Sequence, residues 1–243
     1  MRRSISVLFF LTCTICLCLP ATATAARRDE ARFDIYLRGI KAGVLALSGS
    51  DNGQAYAVAG RLESTGLIGA IVKVRYDAKS KGRITRQGFS PRSYFEKTTG
   101  SARNSEVSMT YRSGVPRVER INSSKKTGPN AVDPATQKGT LDPMTTIYGA
   151  LRDVSRAEVC NYNIRMFDGK RVSRVRLSNP APRGEGFVCA GEYRRIAGFS
   201  DKEMAERQRF PFTLSYDKIG NDLYRVTGIR MITTFGNAVL SRR

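Results

Sequence analysis

The chain reads as a mainly β protein organised around one helix. Short runs of alternating apolar and polar residues fill most of the sequence from Arg32 onward, the period of half-buried strands. Turn-forming pairs such as Asn52-Gly53, Ser113-Gly114 and Asp168-Gly169 separate these runs. The clearest helix candidate is Leu141 to Asp153, where Met144, Ile147, Tyr148 and Leu151 recur at i, i+3, i+4 and i+7. Asp142 suits the N-cap, because its carboxylate can accept from the orphan amides of the first turn. Pro143 suits the first helical position, where its missing N–H costs nothing. The expectation is a single β-rich domain over residues 26–243, its two β halves joined by helix 141–153, which packs on the sheet.

The N-terminus has the organisation of a secretory signal peptide. Arg2 and Arg3 precede an apolar run from Ile5 to Leu19, and Ala23-Thr24-Ala25 supplies a small-residue cleavage site. The run is about 15 residues, short of the roughly 20 that a membrane-spanning helix needs. Cys13, Cys16 and Cys18 lack a small residue directly before them, so a lipidated product is not expected. Cleavage after Ala25 predicts a periplasmic protein with no transmembrane segment. It leaves Cys160 and Cys189, which in an exported protein most simply pair with each other. The alternative is two buried free thiols.

The formal charge is +20, and cleavage lowers it by two. Such an excess predicts an anionic neighbour such as phospholipid headgroups, lipopolysaccharide, cell-wall polymer or an acidic protein. Nucleic acid would satisfy the same electrostatics, but an exported protein would rarely meet it. The plainer reading is that the charge only keeps the protein soluble.

Taken in order, Arg32 to Arg38 places Phe33, Ile35 and Leu37 on one face, and Gly39 to Gly43 turns the chain. Val44 to Ser48 and Ala55 to Ser64 flank the Asn-Gly turn. A two-residue turn there sets Leu47 opposite Val58 and Gly49 opposite Tyr56. A short helical turn is expected over Leu67 to Ile71. From Val72 to Arg83, Val72, Val74, Tyr76 and Ala78 face one way. Lys73, Arg75, Lys79, Lys81 and Arg83 face the other, with Asp77 among them, as a candidate anion-binding face. Successive charges there sit about 7 Å apart on an extended strand. A solvated outer sheet face accounts for the same pattern.

Gly88 to Pro91 reads as a turn, followed by strands over Arg92 to Thr98, Arg103 to Arg112 and Val115 to Asn122. Ser123 to Thr140 is the longest polar loop and reads as a crossover. After the helix come Val159 to Met166 and Lys170 to Leu177, with Cys160 opposite Leu177 if Asp168-Gly169 is a two-residue turn. A flat meander would then hold Cys160 and Cys189 roughly 9–10 Å apart, too far for a bridge. A disulfide therefore demands curling or direct pairing of those two strands. Ser200 to Arg207 reads as helical. Gln208 to Tyr216 and Leu223 to Phe235 read as strands, and Gly236-Asn237 as a last turn.

The chain has no histidine. That excludes Ser-His-Asp and Cys-His catalysis, the commonest zinc sites and an imidazole switch. The only C-x-x-C, Cys13 to Cys16, lies inside the leader, and no Walker loop or dinucleotide fingerprint is present. Paired carboxylates could still support glycoside hydrolysis. The acids are scattered, however, and the best placed of them, Asp142 and Asp168, are explained by a cap and a turn. No catalytic residue, metal site or cofactor is expected. The interleaved Tyr193-Arg194-Arg195 reads as core patterning rather than as a nucleic-acid surface.

Four places together resemble the secreted bacterial proteins grouped as domain of unknown function 3108, in their alphaproteobacterial, paired-cysteine form. Phe33-Asp34-Ile35-Tyr36-Leu37-Arg38-Gly39-Ile40-Lys41-Ala42-Gly43 is similar to the family's first strand and its turn. Leu141-Asp142-Pro143-Met144-Thr145 is similar to its central helix start. Cys160 with Phe167 to Arg171, and Cys189 with Tyr193 to Gly198, resemble the paired-cysteine variant. Thr233 to Leu240 is similar to the closing strands. Phe210-Pro211-Phe212 departs from the family, which usually carries a tryptophan-bearing strand there. The resemblance implies a strongly curved antiparallel sheet or open β-barrel, broadly like periplasmic lipoprotein-carrier folds, and no established activity.

Two readings of function follow. One is a periplasmic, non-enzymatic binding or carrier-like protein for an amphipathic envelope component, a lipid or an acyl chain. The other is an envelope protein with a packed core whose basic face binds anionic membrane, lipopolysaccharide, cell wall or an acidic protein. A carboxylate-based hydrolase ranks third. A hollow interior favours the first reading and a filled one the second.

Overall fold

The computed structural model describes residues 27–101, 104–121, 130–233 and 236–243. The expected leader and residues 122–129 of the polar loop lie outside the described residues. The strands are β1 (Arg27–Leu37), β2 (Ile40–Asp51), β3 (Ala55–Ser64), β4 (Val74–Thr85), β5 (Gly88–Gly100), β6 (Ser105–Arg112), β7 (Val115–Ile121), β8 (Val154–Ser155), β9 (Tyr162–Phe167), β10 (Val172–Arg183), β11 (Gly186–Ala197), β12 (Arg209–Lys218), β13 (Leu223–Thr233) and β14 (Gly236–Arg242). The helices are short: α1 (Gly66–Ile71), α2 (Pro143–Leu151) and α3 (Asp201–Glu206). The fold is mainly β.

All the strands belong to one antiparallel sheet, in the order β7-β6-β5-β4-β3-β2-β1-β14-β13-β12-β11-β10-β9, with the two-residue β8 paired to β13. The two β halves meet through the β1–β14 ladder, where Ile35 lies opposite Leu240. Helix α2 is therefore not the sole junction between them. The sheet is not closed, and β7 and β9 are its edges. The stretch after residue 129 lies along both edges: Gly139 N–H donates to Gly114 O beside β7, while Leu141 N–H donates to Arg165 O and Phe167 N–H to Leu141 O on β9. Unpaired strand edges invite association, and this segment of the expected crossover occupies the seam between them.

Helix α2 sits inside the curve, in contact with both halves. Asp142 caps it by accepting from Thr145 N–H, and Pro143 takes the first turn. The expected single apolar stripe is too narrow. Pro143, Thr145, Thr146 and Gly149 are buried as well as Met144, Tyr148 and Leu151. A helix enclosed by a sheet on several sides must bury nearly its whole surface, so its two threonines need internal partners.

The turns differ from expectation in an instructive way. The two hairpins expected to have two-residue turns instead have four-residue loops. Leu47 faces Gly60, Gly49 faces Val58 and Asp51 faces Tyr56, while Val172 faces Phe167 and Leu177 faces Tyr162. The cause is the same in both loops. Asn52 N–H donates to Ala55 O and Asp168 N–H to Arg171 O. The Asn52 carboxamide oxygen accepts from the amides of Gln54 and Ala55, and the Asp168 carboxylate from those of Lys170 and Arg171. A side chain that satisfies the loop amides favours the longer loop. The register moves by two residues, so every side chain keeps its face.

Tight two-residue turns occur at Arg38-Gly39 and Ser113-Gly114, where all four residues have positive φ. Gly43, Gly88 to Pro91, and Gly236-Asn237 lie within strands rather than in the expected turns. The N-terminal half is filled: Tyr56, Tyr94, Met109, Met144 and Tyr148 are buried in one core with Phe33, Phe167 and Val226.

Candidate functional site

The interior has a polar anchor on one side of α2 and a cavity on the other. The anchor begins at Asp142, which is 0% exposed. Its carboxylate accepts from Thr145 N–H at 2.8 Å, Thr145 Oγ1 at 2.7 Å and Ser80 Oγ at 2.8 Å. Tyr56 Oη lies 2.8 Å from Thr145 Oγ1, so β3, β4 and the first turn of α2 share one hydrogen-bonded cluster. Burial raises the Asp142 carboxyl to about 6 and outweighs the hydrogen bonds that favour its ionised form. Farther along the helix, Tyr148 donates to Asp29 on β1 at 2.7 Å, and Tyr162 donates to Thr146 O at 2.8 Å. Helix α2 is thus held by hydrogen bonds on the β1–β4 side and at β9.

Between α2 and the inner face of the C-terminal half lies a cavity of about 730 Å³. Thr146, Ile147 and Ala150 of α2 form one wall; Val175, Tyr193, Phe212, Leu214, Ile229, Met231 and Leu240 form the sheet side. The strands supply this lining by simple alternation: Phe210, Phe212 and Leu214 face inward on β12, and Gly191, Tyr193 and Arg195 on β11. Gly191 leaves room for the Phe212 ring, because a Cβ there would collide with it. The polar pair Tyr193–Ser173 satisfies itself at 2.7 Å, so the wall presents almost only carbon.

One end of the cavity is different. Arg171, Arg195, Phe199, Phe210 and Ile232 line it. The Arg195 guanidinium lies 5.3 Å from the Phe199 ring centre and 4.9 Å from that of Phe210. Arg171 lies 4.9 Å from Phe199, and Arg207 4.9 Å from Phe210. Arg195 Nη1 donates to the backbone carbonyls of Glu203 and Arg207, while Arg171 Nη2 donates to Glu203 Oε1 at 3.0 Å. Aromatic faces and carbonyls hold these guanidinium planes in place.

Cys160 and Cys189 form the expected disulfide, with Cα atoms 5.3 Å apart. Their strands are not neighbours in the sheet. Cys160 precedes β9, outside the ladder and with positive φ, and this backbone excursion brings it to Cys189 on β11. The basic stripe is placed in part as expected. Lys79, Lys81 and Arg83 are exposed on β4, alternating with buried Ala78, Ser80 and Gly82. Lys79 Nζ sits 5.4 Å from the Phe95 ring centre, and Lys79 and Lys81 border an outer groove of about 790 Å³ with Arg28 and Glu30. Arg75 is paired with Asp77 at 2.6 Å, and Lys73 precedes the strand. Val72 and Val74, expected on the same face as Tyr76 and Ala78, are exposed, because among the described residues nothing packs over the end of the sheet next to α1.

The chain leaves open whether the interior is hollow or filled, and the arginine end of the cavity is not among its candidate sites. The alternation from Cys189 through Gly191 and Tyr193 to Arg195 was available and puts Arg195 inward. It reads as core patterning because an inward arginine is unusual in a filled core. Among the described residues no group of three or more Asp, Glu, His or Cys side chains gathers to hold a metal.

No curated protein matches the chain. A crystal structure of a beta-barrel-like protein of domain of unknown function DUF1849 from Brucella abortus aligns over 89% of this chain and 95% of its own, with 14% identity and a TM-score of 0.49. The model of the family DUF3108, described as a protein of unknown function, matches residues 32–185, well over half of the chain, which therefore belongs to this family.

Proposed function

We propose that this is a periplasmic, non-enzymatic binding or carrier protein for an amphipathic envelope component, a lipid or an acyl chain. The observation that carries the reading is the cavity beside α2, whose volume lies within the roughly 300–1,000 Å³ of small-molecule sites. A largely carbon-lined space of this size suits an alkyl chain. The N-terminal leader and the disulfide support an oxidising, extracytoplasmic home. The test is to isolate the protein from its native periplasm, extract it with organic solvent and identify small molecules by mass spectrometry. Uptake of a fluorescent fatty-acid probe by the emptied protein is measured alongside. A stoichiometric amphiphile, with probe uptake lost in Ile147→Trp, is the expected result. A clean extract together with no saturable probe uptake would overturn the reading.

A second reading, association with an anionic membrane surface, is favoured by a separate observation. Leu67 is 75% and Ile71 78% exposed on α1, next to the exposed Val72 and Val74 and to Lys73. Apolar side chains flanked by basic ones suit an anionic interface. Flotation with vesicles containing phosphatidylglycerol should recover the wild-type protein at low salt, and Leu67→Asp/Ile71→Asp should abolish recovery. Equal recovery of both proteins removes this reading without touching the first.

A further inference from the structure

We infer that the ligand of the cavity carries an acidic headgroup, bound at the arginine end by Arg171 and Arg195. This rests on the carrier reading and specifies its ligand class as an alkyl chain ending in a carboxylate or a phosphate. Three features of the cavity end carry it. The first is charge. Glu203 is the carboxylate bonded into this cluster, and both its oxygens are engaged. Oε2 accepts from the Ser200 amide at 2.9 Å and the Ser200 hydroxyl at 3.0 Å as the cap of α3, and Oε1 accepts from Arg171. Among the described residues no carboxylate forms a salt bridge with Arg195 or Arg207, whose hydrogen bonds go to backbone carbonyls: Glu203 O and Arg207 O for Arg195, Arg209 O and Ile232 O for Arg207. The cluster therefore keeps an excess of positive charge at the end of a carbon-lined cavity.

The second feature is spare donor capacity. Arg171 lines the cavity, and among the described residues its guanidinium is bonded through Nη2, to Glu203. The guanidinium N–H groups left over can donate to a ligand oxyanion. The third is preorganisation. Phe199 and Phe210 bracket Arg195, so the guanidinium loses little freedom when it meets an oxyanion, which it can bind through two parallel N–H donors. The cavity supplies the complementary half: beyond this end its polar groups are few and self-satisfied, so an alkyl chain would enter it and leave the charged head at the arginines. The Glu203 carboxylate opposes an incoming anion, and the excess of guanidinium over carboxylate offsets that repulsion.

The test compares ligands that differ only at the head: palmitate, hexadecyl phosphate and the neutral methyl palmitate, titrated into the delipidated full-length mature protein by displacement of a fluorescent probe. The anionic ligands should bind at least about tenfold more tightly than the ester. Arg171→Gln should reduce that ratio severalfold, while the affinity for methyl palmitate stays unchanged. The order of palmitate and hexadecyl phosphate distinguishes a fatty acid from a phosphate-headed lipid. Equal binding of ester and anions, or a ratio indifferent to the arginines, overturns the headgroup assignment and leaves the carrier reading standing. Failure of all three ligands to bind overturns both. Because Arg195 also holds two carbonyls, Arg195→Lys serves as a control that retains the charge. It should lose more affinity for palmitate than for the ester, and equal losses would mark Arg195 as structural and remove it from the site.

Discussion

The Asp142 carboxylate and the Ser80 hydroxyl lie 2.8 Å apart in the core, although 62 residues separate them in the chain. Through this pair the cap of the central helix is also its anchor to β4. Asp142 thus does two jobs, satisfying the first turn of α2 and fixing that turn to the N-terminal half of the sheet. Replacing it with alanine removes the cap, strands the Thr145 amide and takes one acceptor from the buried Ser80 and Thr145 hydroxyls. Asp142→Ala should lower stability by about 2–4 kcal/mol, measured by urea unfolding at pH 5.

The same carboxyl predicts an unusual pH profile. Burial raises its folded-state value to about 6 from an ordinary 3.8, so the native state binds this proton more readily than the unfolded chain does. The resulting stability is fully present below the unfolded value and is lost as pH rises through about 6. Between pH 7 and pH 5 the protein should therefore gain roughly 1.3 kcal/mol on acidification. Asp34, Glu158 and Glu203 are shifted downward by their partners, so their contributions fade only at lower pH, outside this window. Asp142→Asn should flatten the profile between pH 5 and 7. An unchanged slope in that variant would place the titration elsewhere.

Asp153 closes the other end of α2 by bonding Arg225 at 2.6 Å, with Arg242 at 3.8 Å. The Arg242 side chain is only 9% exposed, so deleting the carboxylate leaves a buried cation without its counterion. Asp153→Ala should cost about 3 kcal/mol. Most of that should return in Asp153→Ala/Arg242→Met, because removing both charges avoids the orphan. A double mutant as unstable as the single would assign the loss to Arg225 instead.

Gly49 lies under the Tyr148 ring, and a Cβ at this position would overlap it. The ring is fixed from the far side, because its hydroxyl donates to Asp29. Gly49→Ala should therefore destabilise by about 1–3 kcal/mol by thermal melting. The loss should shrink in the Tyr148→Phe background, where the ring is free to tilt.

The Cys160–Cys189 bridge spans a separation of 29 residues. On the chain-entropy account it contributes about 3.5 kcal/mol. Cys160→Ser/Cys189→Ser should lose that amount, and the unreduced wild type should titrate no free thiol. Two titratable thiols in denatured, unreduced protein would show that the bridge does not form.

Much of the fold was legible in the chain because its determinants are local. Helix α2 announced itself through Asp142, Pro143 and a 3.6-residue period. The strand faces followed from alternation, and they survived the two-residue slips at Asn52 and Asp168 because such a slip preserves parity. The slips themselves were not legible, since the choice depends on whether one side chain satisfies the loop amides. Nor was the crossing of Cys160 to β11, which depends on a single left-handed residue outside the strands. At the candidate site, the inward positions of Tyr193, Phe212 and Met231 were readable, but the space between them was not. Alternating apolar residues look the same along the chain whether they meet side chains across the core or face an opening.

The chain by itself thus determined the β architecture, the central helix with its cap, the basic outer stripe and the cysteine pair, because each rests on contacts or preferences within a few residues or on simple counting. Tertiary structure alone decided that β1 and β14 zip the two halves into one sheet, that α2 fills one side of the curve, and that the other side retains a carbon-lined space ending in arginines. Those outcomes depend on how far a sheet curls and where a helix comes to rest inside it, which are set by packing between residues more than a hundred positions apart.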